Sequence, residues 1–353
     1  MLVKQKKVDL SLYGYSILQI ETKSVCNMNC LFCAYGSRKD KGRTLSREDV
    51  LGLIDSLDNS SGRLKYVCFS HFNEPLLDER IYDFIEYARK KGFPVLIITN
   101  GLLFKDKEIV SRLIDSGPEF IKLSLQVLNE SLFKSSRGIN GQFTEYKSNV
   151  VNFLKSSLDG SSQVTVDIAC NFLSGFRNFK TKIFGLERGD PSVYPDTDSL
   201  KDDIKVFLND LKKIDLRFSF DLNKIDNYLK SLNQNYALDQ GFVLAGNIIL
   251  KIKPFIYGMR LREFYPLKTG SKCPNEILGI LAGGEVVPCC LAYGDMLTMG
   301  NIKNEALDDI LEKNKVWIDN LHKGRNLPLT CRRCLGAPTK RGAIVKGLKA
   351  RVK

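Results

Sequence analysis

The stretch ETKSVCNMNCLFCAYG, Glu21 to Gly36, places Cys26, Cys30 and Cys33 within eight residues of a chain that has 10 cysteines in 353. No His, Asp or fourth Cys stands close by to complete a tetrahedral zinc site, which takes four ligands. Only two imidazoles exist, His71 and His322. A Cys-x3-Cys-x2-Cys loop can turn three thiolates onto one centre. A [4Fe–4S] cube held by only three thiolates keeps one iron open for a chelating ligand.

The length predicts one large or two ordinary domains with ample core, and hydrophobic residues make up 43%. No apolar run approaches a bilayer span, and MLVKQKKVDLSLYGYS at the start lacks an apolar signal core. A cytoplasmic protein with no membrane partner is expected. Thiols stay reduced there, so clustered cysteines point to metal or redox chemistry rather than disulfides. The net charge is +13, with a pI of about 9.2. The last eighteen residues, GAPTKRGAIVKGLKARVK, hold six positive charges and no acid. They read as a solvated tail, with docking onto an acidic or phosphate-bearing partner second. Nucleic acid is not expected as a partner, because no aromatic-rich basic stretch accompanies the charge.

From Ser16 to Asn171 β-rich runs alternate with helical patterns. The strands are SILQIET, KYVCFSH, PVLIITN, FIKLSLQ and VTVDIAC; the helices are Ser46–Leu57, Asp78–Lys91, Lys105–Ser116 and Gln142–Ser157. This rhythm implies an α/β fold with a parallel sheet or barrel. A sixth repeat follows as helix Ser199–Ile214 and strand LRFSFD, leaving Ser174–Thr197 as an elaborated loop. Parallel strands covered on both faces should be nearly all apolar. Instead Lys122, Ser124 and Gln126 alternate with apolar residues, as do Thr165 and Asp167, and Arg217, Ser219 and Asp221. One face of the sheet is therefore expected to line a wet, ligand-holding interior. After Lys272 the Gly-rich run CPNEILGILAGGEVVPCCLAYGDMLTMGNI, a helix over Glu305–Leu321 and CRRC read as a small appended module.

The cysteine spacing resembles the signature of the radical S-adenosylmethionine superfamily. That resemblance implies a partial (β/α)6 barrel and S-adenosylmethionine bound through its amino and carboxylate groups to the open iron. Reductive cleavage would then yield a 5′-deoxyadenosyl radical that takes a hydrogen atom from substrate. Cys26, Cys30 and Cys33 would be the ligands, on a loop after the first strand, at the end where barrel active sites sit. Phe32 matches the aromatic near adenine. HFNEP resembles the Gly-Gly-Glu-Pro segment that binds the methionine ammonium; Phe72 and Asn73 replace the glycines, while Glu74 and Pro75 remain. Asn100 falls in the TNG that ends the third strand. Ser124 and Arg137 match positions that hold the ribose or carboxylate, for which an Arg fork is suited.

Cys273, Cys289, Cys331 and Cys334 resemble the "twitch" module, a shortened relative of the SPASM extension that holds one auxiliary [4Fe–4S] cluster. A zinc ribbon has compatible spacing. Cys290 could replace Cys289 as ligand, although the Cys directly after Pro288 is the favoured position. The full SPASM extension uses more cysteines for a second auxiliary cluster, which counts against sulfatase-maturation chemistry. Cys68, Cys170 and Cys290 remain as spare thiols; the first two read as core, and Cys290 is the candidate catalytic thiol. The resulting boundaries are 1–15 extension, 16–235 barrel, 236–335 twitch/SPASM-like domain and 336–353 tail.

With the first strand near Ser16, no leader-binding or cobalamin domain is expected before it. The polar interior suits a small hydroxylated or charged substrate, and the resemblance implies oxidation of a sugar- or cyclitol-like molecule, with the auxiliary cluster taking the electron. A peptide-modifying enzyme, cross-linking or epimerising, is the alternative; a metal-bearing nucleic-acid-binding protein is the alternative from another class. An external electron donor such as flavodoxin or ferredoxin is the further partner implied.

Overall fold

The computed structural model describes residues 6–139, 142–170, 194, 197–234, 241–254, 264–267, 272–293, 296–337 and 340–351. The elaborated loop expected over Ser174–Thr197 falls almost wholly outside them. The chain divides into two compact units. The first comprises Met1–Asn27, Cys33–Ile97 and Gly258–Lys353, and the second Met28–Phe32 and Ile98–Tyr257.

In the first unit, β1 (Ile17–Ile20) lies between β2 (Tyr66–Cys68) and β8 (Ile277–Ile280), parallel to both. β2 continues in parallel to β3 (Val95–Thr99). On the other side β8 pairs with antiparallel β9 (Glu285–Val287), and β9 in turn with antiparallel β10 (Gly300–Asn301). Leu18, Ile20, Val67, Cys68, Val95 and Ile280 are fully buried, as strands covered on both faces require. The spare thiol Cys68 is thus core. Helix α1 (Arg47–Ser56) starts at a capping box in which Asp49 N–H donates to Ser46 Oγ at 3.0 Å and Ser46 N–H donates back to Asp49 Oδ2 at 3.3 Å. Val50, Leu53 and Ile54 are the face it buries. Helix α2 (Ile81–Lys90) buries Ile81, Phe84, Ile85 and Ala88, spaced for one helical face.

In the second unit β4 (Phe120–Gln126), β5 (Gln163–Cys170) and β7 (Ile248–Pro254) are parallel neighbours in that order, with β6 (Phe242–Ala245) antiparallel beyond β7. Its helices are α3 (Lys107–Asp115), α4 (Glu130–Arg137), α5 (Phe143–Ser156), α6 (Thr197–Ile214) and α7 (Leu222–Gln234). Val164, Val166, Ile168, Ile248, Leu250 and Ile252 are buried on the apolar phase. The other phase carries Lys122, Ser124, Thr165, Asp167, Lys251 and Lys253, with Lys122 paired to Thr165 and Asp167 to Lys251. The polar face expected of the fourth and fifth strands is therefore present.

The sixth strand is not where the sequence places it. LRFSFD follows α6 as a turn: Phe218 N–H donates to Asp215 O at 3.2 Å and Leu216 is 82% exposed. Arg217 is engaged by Asp215 and Asp159, so it lines no polar interior. The parallel partner of β5 is Ile248–Pro254 instead, and Lys251 and Lys253 stand on the polar phase assigned to Arg217 and Ser219. Two further elements differ. The helix expected over Glu305–Leu321 is divided at Asn314, whose φ is −100° and ψ 6°, into Leu307–Lys313 and Lys315–Lys323, and Asn314 Nδ2 donates to Met299 O at 3.1 Å and Ile310 O at 2.8 Å. The expected solvated tail contains a helix over Lys340–Arg351, with Ala343 buried.

Candidate radical and iron-sulfur sites

The loop that carries Cys26 and Cys33 leaves β1 through a buried charge network. Glu21 and Arg38 lie on either side of the cysteines in sequence, and their side chains meet in full burial as a two-pronged ion pair. Arg38 also donates to Asp40, from Nε at 2.9 Å and Nη2 at 2.7 Å, and Glu21 Oε2 accepts the Ala282 N–H at 3.2 Å. Burial opposes the Arg38 charge, but Asp40 and Glu21 outweigh it and raise its pKa. The Arg38 hydrogen bond holds Asp40 below the ordinary carboxylate range. Ser24 closes the loop, its hydroxyl donating to Asp40 O at 2.8 Å and accepting from Arg43 N–H at 2.9 Å.

Glu74 is buried at the start of a short 3-10 turn, where its carboxylate accepts the Leu76 N–H at 3.3 Å. Its own N–H donates to Val25 O at 2.8 Å, which brings the HFNEP segment against the residue before Cys26. Asn73 Oδ1 accepts the His71 N–H at 2.8 Å, while its Nδ2 is buried with no hydrogen-bond partner among the described residues. Burial pushes the His71 imidazole down to about 4 and keeps it neutral. Its ring lies over Gly279 of β8, where a Cβ would come within 3.0 Å of Nε2. Phe72 packs edge-on against both His71 and Tyr293, at 4.6 and 5.4 Å between ring centroids.

Cys30 belongs to the second unit, together with Phe32, Ser124 and Arg137. Arg137 is 2% exposed; its Nη1 lies 3.6 Å from Cys30 Sγ, and its guanidinium stands 5.9 Å from the Phe32 ring centroid. It also donates to Ser124 O, and the Ser124 hydroxyl accepts from Gln126 Nε2 at 2.6 Å. Leu31 N–H donates to Ser136 O at 3.0 Å and Asn29 N–H to Arg137 O at 3.3 Å, which docks the Met28–Phe32 segment on the end of α4. Gly138 makes this approach possible: its φ is 68°, and a Cβ there would stand 2.3 Å from Asn29 O. Asn100 stands in a local turn, its Oδ1 accepting the Leu102 N–H at 2.8 Å and its C=O accepting from Tyr146 at 2.7 Å. A buried cation against a cysteine sulfur, beside a ring, suits an anionic iron-sulfur centre with a carboxylate-bearing ligand.

The second cysteine set converges. Cys273, Cys289, Cys290, Cys331 and Cys334 all line one apolar cavity of about 280 Å³, with Leu321 and His322 on its wall. Cys331 and Cys334 are one turn apart on the helix Leu329–Cys334, and Cys289 follows Pro288 at the end of β9. Asn275 Nδ2 ties the Cys273 arm to this turn, donating to Ile277 O at 2.8 Å and Pro288 O at 2.9 Å. Its Oδ1 faces Cys290 Sγ at 3.9 Å. Burial raises the pKa of Cys289, and burial with the neighbouring thiols pushes Cys290 and Cys331 up to about 12. Thiols crowded this way cannot ionise together unless a positive centre sits among them, and a bound metal reverses that penalty outright. Among the described residues no three His, Cys, Asp or Glu side chains close on a single ion. Five thiols spread round a cavity suit a cube of several irons better than one zinc, whose thiolates crowd to within roughly 4 Å of each other. The Cys170 side chain lies outside those described.

A family model for the radical SAM superfamily matches residues 20–169, and one for the SPASM iron-sulfur cluster-binding domain matches residues 272–335. The chain carries a radical SAM domain and a C-terminal SPASM domain. These domains imply S-adenosylmethionine and [4Fe–4S] clusters as its cofactors. The tungsten-containing aldehyde ferredoxin oxidoreductase cofactor-modifying protein of Pyrococcus furiosus is 29% identical over 111 residues, 31% of each chain. A probable GTP 3′,8-cyclase of Saccharolobus islandicus is 24% identical over 248 residues, 67% of this chain and 74% of that one. The chain thus spans under a third of the first of these relatives. In fold, it is similar to Streptococcus suis SuiB bound to precursor peptide SuiA, with a TM-score of 0.50, 17% identity, and coverage of 94% of this chain and 70% of SuiB. Among the described residues no helix is long and apolar enough to cross a membrane.

The sequence reading missed the Glu21–Arg38–Asp40 network and both histidines as neighbours of the cysteines. Glu21 next to the cysteine loop and Arg38 just after it were the signals available, since opposite charges flanking a loop can meet across its neck.

Proposed function

We propose that this radical SAM enzyme oxidises an alcohol of a small, polar, sugar- or cyclitol-like substrate. The observation that carries the reading is the cavity lined by Cys273, Cys289, Cys331 and Cys334, with Cys290 as a fifth thiol. When bound there, a fully thiolate-ligated [4Fe–4S] cluster supplies an electron acceptor rather than a substrate site. Cys26, Cys30 and Cys33 hold the cluster that meets S-adenosylmethionine, with Glu74 on its ammonium, Arg137 on its carboxylate, Phe32 near adenine, and Asn73, Asn100 and Ser124 as further contacts. The polar face of β4, β5 and β7 supports a hydroxylated substrate. On it Asp167 is 6% exposed, with Oδ2 held 2.6 Å from Lys253 Nζ and Oδ1 without a hydrogen-bond partner among the described residues. That carboxylate can accept a substrate hydroxyl proton as the carbonyl forms. Flavodoxin or ferredoxin is the kind of donor that would deliver the priming electron.

Epimerisation, in a small molecule or a peptide, is the second reading, and the Cys290 thiol facing Asn275 inside the cavity favours it. Running the reaction in deuterated water separates the two. Oxidation gives a product two mass units lighter with no deuterium fixed at the reacting carbon. Stable deuterium there, substrate mass otherwise unchanged, and loss of activity in Cys290→Ser would overturn it.

The assignment of Glu74 has its own test. Glu74→Gln keeps the shape but loses a charge-assisted hydrogen bond to the cofactor ammonium, worth about 1.5–3 kcal/mol, so affinity for S-adenosylmethionine should fall about 10- to 150-fold. Equilibrium binding to the reconstituted protein reads this directly, and unchanged affinity in a folded variant removes Glu74 from the site.

A further inference from the structure

Beside the five-thiol cavity stands a donor with nothing to donate to. Tyr15 is 1% exposed, and its phenolic oxygen is buried with no hydrogen-bond partner among the described residues. A buried hydroxyl is normally satisfied, so this one has its hydrogen available for a partner. The ring stands edge-on to His322, with centroids 5.4 Å apart and planes at 73°. His322 in turn forms the cavity wall together with Cys273 and Cys289. Gly14 allows this packing: with φ at 79° it has no Cβ, and one built there would meet His322 Cε1 at 3.1 Å. After burial itself, Cys289 and Cys273 are the groups that act on the phenol and raise its pKa, so it stays a hydrogen donor.

We propose that Tyr15 donates its phenolic hydrogen to a sulfur of the auxiliary cluster and thereby sets how readily that cluster accepts an electron. The proposal rests on Cys273, Cys289, Cys331 and Cys334 being cluster ligands. Each added electron makes the sulfurs more negative, so a hydrogen bond to them stabilises the reduced state more than the oxidised one and raises the potential. Tyr15 is a positioning residue, acting on substrate only through the cluster. In an enzyme that oxidises its substrate, the acceptor must lie above the substrate radical in potential, and one O–H group placed from outside the ligand set adjusts that without changing a ligand.

Tyr15→Phe removes the hydroxyl and leaves the ring against His322. The measurement is a redox titration followed by electron paramagnetic resonance, made on full-length reconstituted protein in which Cys26, Cys30 and Cys33 are Ala, so that only the auxiliary signal remains. At a fixed poise the reduced-to-oxidised ratio should fall about two- to tenfold in the variant. An unchanged ratio with the auxiliary iron retained overturns the proposal. Zinc in place of that iron overturns the cluster assignment itself, and the proposal with it. Should the variant fail to load iron, the protein with Tyr15 intact decides. Electron–nuclear double resonance on its reduced auxiliary cluster should show a coupled proton that disappears in deuterated water, and the lack of any such proton overturns the proposal.

Discussion

Replacing Cys26, Cys30 and Cys33 together by Ala is expected to abolish 5′-deoxyadenosine formation while leaving about half of roughly eight irons per chain. The two cysteine sets lie at opposite ends of the sequence, and Cys273, Cys289, Cys331 and Cys334 surround a cavity that contains none of the first three. The substitutions therefore touch none of the ligands proposed for the second centre. Iron and acid-labile sulfide assays on anaerobically reconstituted protein, with chromatographic detection of 5′-deoxyadenosine, read both halves at once. A triple variant that still cleaves S-adenosylmethionine would remove these cysteines from the chemistry. Retained zinc rather than retained iron would return the second set to the zinc-ribbon reading. A nucleic-acid-binding module would cleave none in either form.

The second large effect is structural. Arg38→Leu leaves Glu21, fully buried, facing no cation at the place where its two-pronged partner stood. Removing one partner of a buried pair typically destabilises by about 3–5 kcal/mol, because the remaining charge is stranded. Changing Glu21 and Arg38 together to Leu should recover much of that loss, since Asp40 is partly exposed and can rehydrate. Urea unfolding of the three proteins tests the ordering, and an Arg38→Leu variant within about 1 kcal/mol of the parent would show that the network contributes little. The network also has a pH signature. Asp40 has its folded pKa below the unfolded value, so the unfolded chain binds the proton more readily in that window. Its contribution is complete at neutral pH and is lost as pH falls below the ordinary carboxylate range through the lowered value. In Arg38→Leu that acid-side loss should shrink.

Much of the scaffold was legible because local signals agreed with the fold. Ser46 and Asp49 announce the start of α1, and Gln142 and Ser157 bound α5 as the periodicity suggests. The sixth strand was not legible, for a physical reason. LRFSFD and IILKIKP both alternate, and alternation reports which side chains could share a face, not whether a neighbouring strand is there to pair with. Arg217 finds Asp215 and Asp159 and holds the first segment in a turn, while Ile248, Leu250 and Ile252 complete the apolar side of β5. At the candidate sites, the two cysteine sets stand out by their spacing. Tyr15 and His322 do not, because an aromatic residue near the start and a histidine in a late helix become neighbours only through tertiary packing.

The strand pairing of β1 has a consequence for how the protein is made. Its partner on one side, β2, follows soon after, but on the other side Ile17 to Ile20 pair with Ile277 to Ile280, and the Ser16 hydroxyl bonds Glu276 across a sequence separation of 260. Non-local pairings of this kind raise contact order and slow folding. During synthesis the strand that leads into the first cysteine loop waits for an edge that the ribosome delivers only after a separation of 260 residues. Until then the loop lacks β8 and the Ala282 N–H that Glu21 accepts. Loading of the first centre is therefore expected to follow the emergence of β8, and truncations that remove β8 should yield protein that fails at the N-terminal cysteines, far from the cut.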